Sequence, residues 1–332
     1  MASPHDGYDP SISETYRAVR VTFSTIAAGN PRMKECLHKA RQAASSDVTV
    51  LLLGENGTGK NLIAQAVHNA SPRLKGPFIS VNCSSFTETL LESELFGHER
   101  GSFTGADRTR KGRFELADGG TLFLDEIAEM SPQAQAKILR AVEYKQFERV
   151  GGEETLRTDV RIIASTNRDL DEQVRKGAFR QDLFYRLNEV AIRIPPLRER
   201  KDEIPVFVDH FISEACRKLR IPAKKLSGEA LDFLRKHDWP GNVRELRSVL
   251  KRGVAFSAGE EISFEDLGLE VSLLPTDLDS LEEGELSLES MERRHIQRVL
   301  RLTGGQKKKA CEILGITRPT LDNKIQKYRI RL

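Results

Sequence analysis

The heptapeptide GENGTGK, Gly54 to Lys60, sits between an apolar run and the helical pattern LIAQAVHNA, which matches the strand, loop, helix context of a G-x-x-x-x-G-K phosphate loop. Gly54, Gly57 and Gly59, interleaved with Glu55, Asn56 and Thr58, permit backbone angles that aim N–H groups at phosphate. The helix start adds a positive dipole, and Lys60 reaches the outer phosphates. Asn61 stands where the general motif places Ser or Thr on magnesium, so a metal would rely on water and on a second motif. That motif is GGTLFLDEIAE, an apolar run ending in Asp125 and Glu126. Asp125 would hold Mg2+, and Glu126 would orient or deprotonate an attacking water. Taken alone, two acids after a strand are as compatible with a solvated turn or helix cap. Beside a phosphate loop they point to ATP hydrolysis. Thr166 and Asn167, ending another run, and Asn82, ending FISVN, are candidates for sensing the outermost phosphate, with a capping role as the alternative for each.

These residues need a parallel sheet to bring them to one edge. Between residues 29 and 267, short β-branched runs alternate with amphipathic helical patterns, which predicts an α/β fold with helices on both faces of the sheet. The runs are VTVLLL (48–53), FISVN (78–82), TLFLDE (121–126), VRIIAST (160–166) and VAIRI (190–194). After Pro195 and Pro196 the strands stop, and helical patterns continue to about Phe256. The domain expectation is a lead-in at 1–26, an ATPase subdomain at 27–195, a helical lid at 196–268, an acidic linker at 269–286 and a terminal domain at 287–332.

Of the 332 residues, 39% are hydrophobic and 30% charged, which excludes a disordered or fibrous chain. No run approaches the roughly 18 apolar residues of a membrane span, and MASPHDGYDPSISETYR lacks the basic and apolar regions of a signal peptide, so a cytoplasmic address is expected by elimination. Cys36, Cys83, Cys216 and Cys311 form no C-x-x-C pair, so neither disulfides nor a zinc site is indicated. The net charge is only +3, yet Ser287 to Leu332 holds twelve basic residues against four acidic ones. Local clustering of this kind suits nucleic acid.

The segments LLLGENGTGKNLIAQAVH, FISVNCSS, ESELFGHERGSFTGA, GGTLFLDEIAEM, FERVGG, FRQDLFYRLNEVAIRIPPLRERKDEI and WPGNVRELRSVL occur in an order that resembles the AAA+ P-loop NTPase domain of sigma-54-dependent transcriptional activators, over roughly residues 27 to 257. GGQKKKACEILGITRPTLDNKIQKY resembles their Fis-type helix-turn-helix. The resemblance implies an ATPase that binds enhancer DNA, assembles into a ring, typically a hexamer, and remodels sigma-54 RNA polymerase. It assigns Gly101, Ser102, Phe103, Thr104, Gly105 and Ala106 to sigma-factor contact, Ser102 replacing the usual Ala. By sequence alone Phe103 is equally a presented ring or one tucked into the core. The resemblance also makes Arg180 and Arg186 arginine fingers reaching a neighbour's ATP, although six helical steps set them about 240° apart if the stretch is helix. Arg244 becomes a second nucleotide sensor on the lid. Relatives often carry a regulatory domain that the short start cannot house, which implies control by another protein in trans, by expression level or by oligomerisation, or else a truncated chain.

In the terminal domain, Leu288, Met291, Ile296, Val299 and Leu300 form an apolar stripe on a first helix ended by Gly304 and Gly305, and Gln306 to Leu314 forms a second. Gly315 turns the chain, Thr317 caps the third helix, and Pro319 fits its first turn. Leu321, Ile325 and Tyr328 face inward. Arg318, Thr320, Asn323, Lys324 and Lys327 then face a major groove, Asn323 suiting an adenine edge, with Lys307, Lys308 and Lys309 on phosphates. The alternative reading is a regulator of ordinary promoters in which the ATPase fold serves as an assembly switch.

Overall fold

The computed structural model describes residues 21–268, 296, 299, 300, 303 and 306–328. The chain divides into two compact units, the first ending at Gly268. Within it the strands are β1 (Val50–Leu53), β2 (Phe78–Asn82), β3 (Gly97–His98), β4 (Arg110–Lys111), β5 (Thr121–Asp125), β6 (Gln146–Glu148), β7 (Thr155–Arg157), β8 (Arg161–Thr166) and β9 (Val190–Arg193). Five of them form one parallel sheet in the order β2, β5, β8, β1, β9. All six residues of β8 are buried, as expected for a strand covered on both faces.

Alternation along the strands feeds two cores. Leu51, Leu122, Leu124 and Ile162 pack with the helices Glu88–Phe96, Pro132–Tyr144 and Gln181–Leu187 on one face. Val50, Leu52, Phe123 and Ile163 pack with Pro31–Ala44 and Lys60–Asn69 on the other. Asn30 and Ser131 cap Pro31–Ala44 and Pro132–Tyr144, each followed by a proline whose missing N–H costs nothing there. Arg161 lies buried in the sheet and donates to the carbonyls of Ala43 and Ala44, satisfying the last turn of the first of these helices. His68, buried against Phe78 with Nδ1 2.9 Å from the Thr121 hydroxyl, is pushed down to about 4, chiefly by burial and then by the Arg161 charge.

Three features differ from the sequence expectation. β3 pairs with β4 and β6 with β7 in small antiparallel ladders that the strand runs did not reveal. Strands also do not stop at Pro196: Lys225–Leu226 pairs in parallel with Glu261–Ile262 inside the lid. Two or three residues are too few to show a period of two. The lid is otherwise helical, with Ile204–Leu219, Gly228–Lys236 and Asn242–Phe256, and Trp239 is fully buried in it, its indole N–H on the Leu234 carbonyl at 2.8 Å. Cys36, Cys83 and Cys216 are buried, and Cys311 is half-buried.

In the second unit the helix Lys307–Leu314 ends at Gly315 in the left-handed region, and Thr317 caps Arg318–Lys327. Ile296, Val299, Leu300, Ala310 and Leu321 form its core, with Ile325 and Tyr328 packed against it. Leu288, Met291, Gly304 and Gly305 lie outside the described residues. Among the described residues no helix is long and apolar enough to cross a membrane.

Candidate functional site

Parallel register makes the sheet end flush. Leu53 lies opposite Thr166, Leu124 opposite Ala164 and Asn82 opposite Asp125, so the phosphate loop, the acid pair and Asn82 share one carboxyl edge. This is where open α/β sheets bind ligands. Gly59 caps the helix Lys60–Asn69 with φ 105°, a conformation that favours glycine. Its missing Cβ would meet nothing within 4 Å, which leaves an open cradle. Gly57 is needed for a second reason: a Cβ there would come 2.3 Å from the Gly241 carbonyl oxygen of the lid.

Lys60 Nζ is buried and donates to the Gly54 carbonyl at 2.9 Å and to Glu126 Oε1 at 3.2 Å. The other Glu126 oxygen accepts from the Asn167 N–H at 3.3 Å. Glu126 adopts φ 55° with a full side chain, a strained position of the kind found at functional sites. Asp125 accepts from the Ser165 hydroxyl. Burial, followed by the charges of Asp125 and Glu126, pushes the Cys83 thiol up. Lys60, Asp125, Glu126 and Asn167 are therefore brought together. Thr166 is buried and its hydroxyl accepts from the Arg168 N–H at 3.0 Å, while Asn82 Oδ1 accepts from the N–H and hydroxyl of Ser84; both side chains act as local caps here. Asn61 is exposed and accepts from Gln65 at 2.9 Å. A cleft of about 850 Å³ reaches Gly54, Glu55 and Asn167 from the β9 side, but Lys60 and the acid pair meet in a more closed part of the edge.

The loop from Gly101 to Ala106 is closed by the Gly101 N–H on the Ala106 carbonyl at 2.8 Å and the Ala106 N–H on the Phe103 carbonyl at 3.0 Å. Gly101 and Gly105 have φ of 83° and 99°. Phe103 is half-buried, edge-on to His98 at 5.0 Å, and Thr104 stands exposed at the tip, so the ring is neither fully presented nor tucked into the core. Ser102 packs on Gly151, with its hydroxyl buried and without a hydrogen-bond partner among the described residues. Arg149 anchors the base through Glu99 at 2.7 Å and Glu115 at 2.8 Å.

Arg180 precedes the helix Gln181–Leu187 with extended backbone, so a helical angle between it and Arg186 does not apply. Both guanidiniums are exposed at the ends of one short helix, paired locally with Asp182 and Glu189. Exposed Tyr185 lies beside them. Arg244 is exposed on the lid helix, its Cβ next to Gly57, with no ion pair among the described residues.

Three family matches tile the chain: the sigma-54 interaction domain over residues 26–193, the AAA+ ATPase lid domain over 198–279 and the Fis family of bacterial regulatory proteins over 287–328. The transcriptional regulatory protein ZraR of Salmonella typhimurium is 46% identical over 316 residues, covering 95% of this chain and 71% of that protein. The chain belongs to the sigma-54-dependent transcriptional activators. The activator is also 46% identical to the Nif-specific regulatory protein of Azotobacter vinelandii over 318 residues, 93% of this chain and 60% of that one. NtrX of Brucella abortus matches with a TM-score of 0.71 at 32% identity, covering 92% of this chain and 69% of that one, and its crystal structures include complexes with ATP and with ADP.

The activator is thus an enhancer-binding AAA+ ATPase with a Fis-type DNA-binding end. On that end Arg318, Asn323 and Lys327 are exposed, while Thr320 is half-buried with its hydroxyl 2.7 Å from that of Thr317. Lys327 also lies over the Tyr328 ring, and Lys324 is half-buried. Lys308 and Lys309 are exposed, whereas Lys307 pairs with Asp322 at 2.8 Å. Sequence reasoning missed Asn242 and Arg200, which reach the phosphate loop from 142 or more residues away and left no local signal.

Proposed function

We propose that the activator binds ATP with magnesium at the flush carboxyl edge, hydrolyses it between subunits of a hexameric ring, and uses the loop 101–106 to convert sigma-54 RNA polymerase from closed to open promoter complex. The observation that carries this reading is the meeting of Lys60, Asp125, Glu126 and Asn167 beside the Gly59 cradle. Gly54, Glu55, Asn56, Gly57, Thr58, Gly59 and Lys60 hold the phosphates, with Arg244 approaching from the lid. Asp125, at the carboxyl end of β5, is the residue that would hold Mg2+, with Asn61 adjoining. The metal neutralises charge on the phosphates. Glu126 orients and deprotonates water; Asn167 is placed to report the outermost phosphate, and Thr166 and Asn82 to fix the edge. Arg180 and Arg186 serve a neighbouring subunit's nucleotide, a role their exposure permits.

The loop Gly101, Ser102, Phe103, Thr104, Gly105, Ala106 contacts the sigma factor. Arg318, Thr320, Asn323, Lys324 and Lys327 enter a major groove of enhancer DNA, with Lys308 and Lys309 on phosphates and Lys307 partly neutralised by Asp322. Acting on polymerase and enhancer DNA, the activator would work in the cytoplasm. Open-complex formation with sigma-54 polymerase and an enhancer template tests the reading. It requires ATP and is lost in Thr104→Ala and Glu126→Gln; open complexes formed by either variant would overturn it.

A further inference from the structure

The outward face of the phosphate loop is covered residue by residue from the lid side. Asn242 Nδ2 donates to the Asn56 carbonyl at 3.1 Å, the Val243 N–H to the Gly57 carbonyl at 3.1 Å, and the Arg200 guanidinium to the Thr58 carbonyl at 3.0 Å. Thr58 and Lys60 take the carbonyls of Glu55 and Gly54 from within the loop. The N–H groups of Asn56, Gly57 and Gly59 have no acceptor among the described residues. A peptide whose carbonyl is fixed outward directs its N–H inward, and successive inward N–H groups make an anion-binding nest.

Both side chains are held for this task. Asn242 is fully buried at φ 53°, a backbone region that Asn tolerates better than most residues. Its Oδ1 accepts from the Leu197 N–H at 2.7 Å, and Nδ2 also reaches Glu55 Oε2 at 3.1 Å. Arg200 is 2% exposed, paired with Glu203 at 3.3 Å, in contact with Met33 Sδ and over the Phe207 ring. Glu203 in turn accepts from the Asn30 N–H that begins the helix Pro31–Ala44.

We propose that Asn242 and Arg200 are positioning residues for phosphate binding, which together with the Val243 N–H fix three consecutive loop carbonyls outward and make lid docking and nucleotide binding one linked equilibrium. The inference rests on the phosphate-loop reading above. Linkage is reciprocal: a docked lid tightens the hold on phosphate, and bound phosphate tightens the docked lid by the same factor.

The test uses the full chain. Asn242→Gly keeps the left-handed backbone and deletes the side-chain bonds. Its affinity for ADP with magnesium falls roughly tenfold, the weight of one or two ordinary hydrogen bonds, and KM for ATP rises while turnover at saturation is retained. A merely structural role would instead lower turnover through lost active protein and leave KM alone. An ADP affinity within twofold of the unaltered protein overturns the proposal. Should Asn242→Gly not fold, hydrogen exchange at the Val243 amide of the unaltered protein decides: saturating ADP slows it about tenfold, and an unchanged rate overturns the proposal. Failure of the unaltered protein to bind ADP at all overturns the phosphate-loop reading together with it.

Discussion

Glu126 accepts from Lys60 and the Asn167 N–H at once from a left-handed backbone, so its carboxylate stays at the sheet edge. Glu126→Gln keeps the shape and removes the base. Phosphate release falls by at least about 10²-fold, while nucleotide affinity holds or rises, because Lys60 is freed of an anionic partner. Rate and binding titration on one preparation check both halves. Ser102 offers a contrasting case. Its buried hydroxyl has no partner among the described residues, so Ser102→Ala leaves stability unchanged or raises it by up to ~1 kcal/mol, read by chemical denaturation. A loss of more than that would show that the hydroxyl has a role in the folded chain.

At the scale of elements, the seam between phosphate loop and lid is an unforgiving contact. Gly57→Ala combines φ 79° with a Cβ 2.3 Å from the Gly241 oxygen, so either the loop or the lid turn must move. ADP binding is lost, and limited proteolysis cuts faster around residues 239–243; unchanged binding and cleavage would contradict that seam. The central strands were legible because a strand covered on both faces shows as an unbroken apolar run, as in VLLL and the IIA of β8. The phosphate loop and acid pair were legible because their chemistry is local in sequence. The ladders Gly97–His98 with Arg110–Lys111 and Gln146–Glu148 with Thr155–Arg157 were not, being shorter than any period. Whether the helix began at Arg180 was open in the sequence, and the extended backbone at Arg180 shows that it is the cap position. Nothing local in WPGN told that Asn242 turns its amide onto a loop 186 residues earlier.

At the scale of the whole molecule, pH acts through His68 first. Its folded value, about 4, lies below the ordinary 6.5, so the folded chain resists a proton that the unfolded chain accepts. This contribution is fully present above about pH 6.5 and is lost as pH falls toward 4, amounting to about 2 kcal/mol at pH 5. Carboxyls held low by cations, such as Asp47 by Arg73 and Glu55 by Arg198, add losses of the same sign at still lower pH. Denaturant titrations at pH 8 and pH 5 measure the difference, and His68→Gln flattens it. Duplex binding by the second unit weakens steeply with salt, and Lys308→Ala shallows the log–log slope by about 0.9, whereas Lys307→Ala changes it less because Asp322 already neutralises that charge. Equal slopes for the two variants would contradict the pairing.

The placement of the four thiols has a practical outcome. Burial raises Cys36 to about 11 and holds Cys83 higher still, so neither offers appreciable thiolate near neutral pH, and Cys216 is shut away from reagents. Cys311 alone among them is partly open, on the helix Lys307–Leu314. A maleimide dye added to the native protein therefore marks the DNA-binding end selectively, which allows its arrival on an enhancer to be followed by fluorescence without altering a single codon.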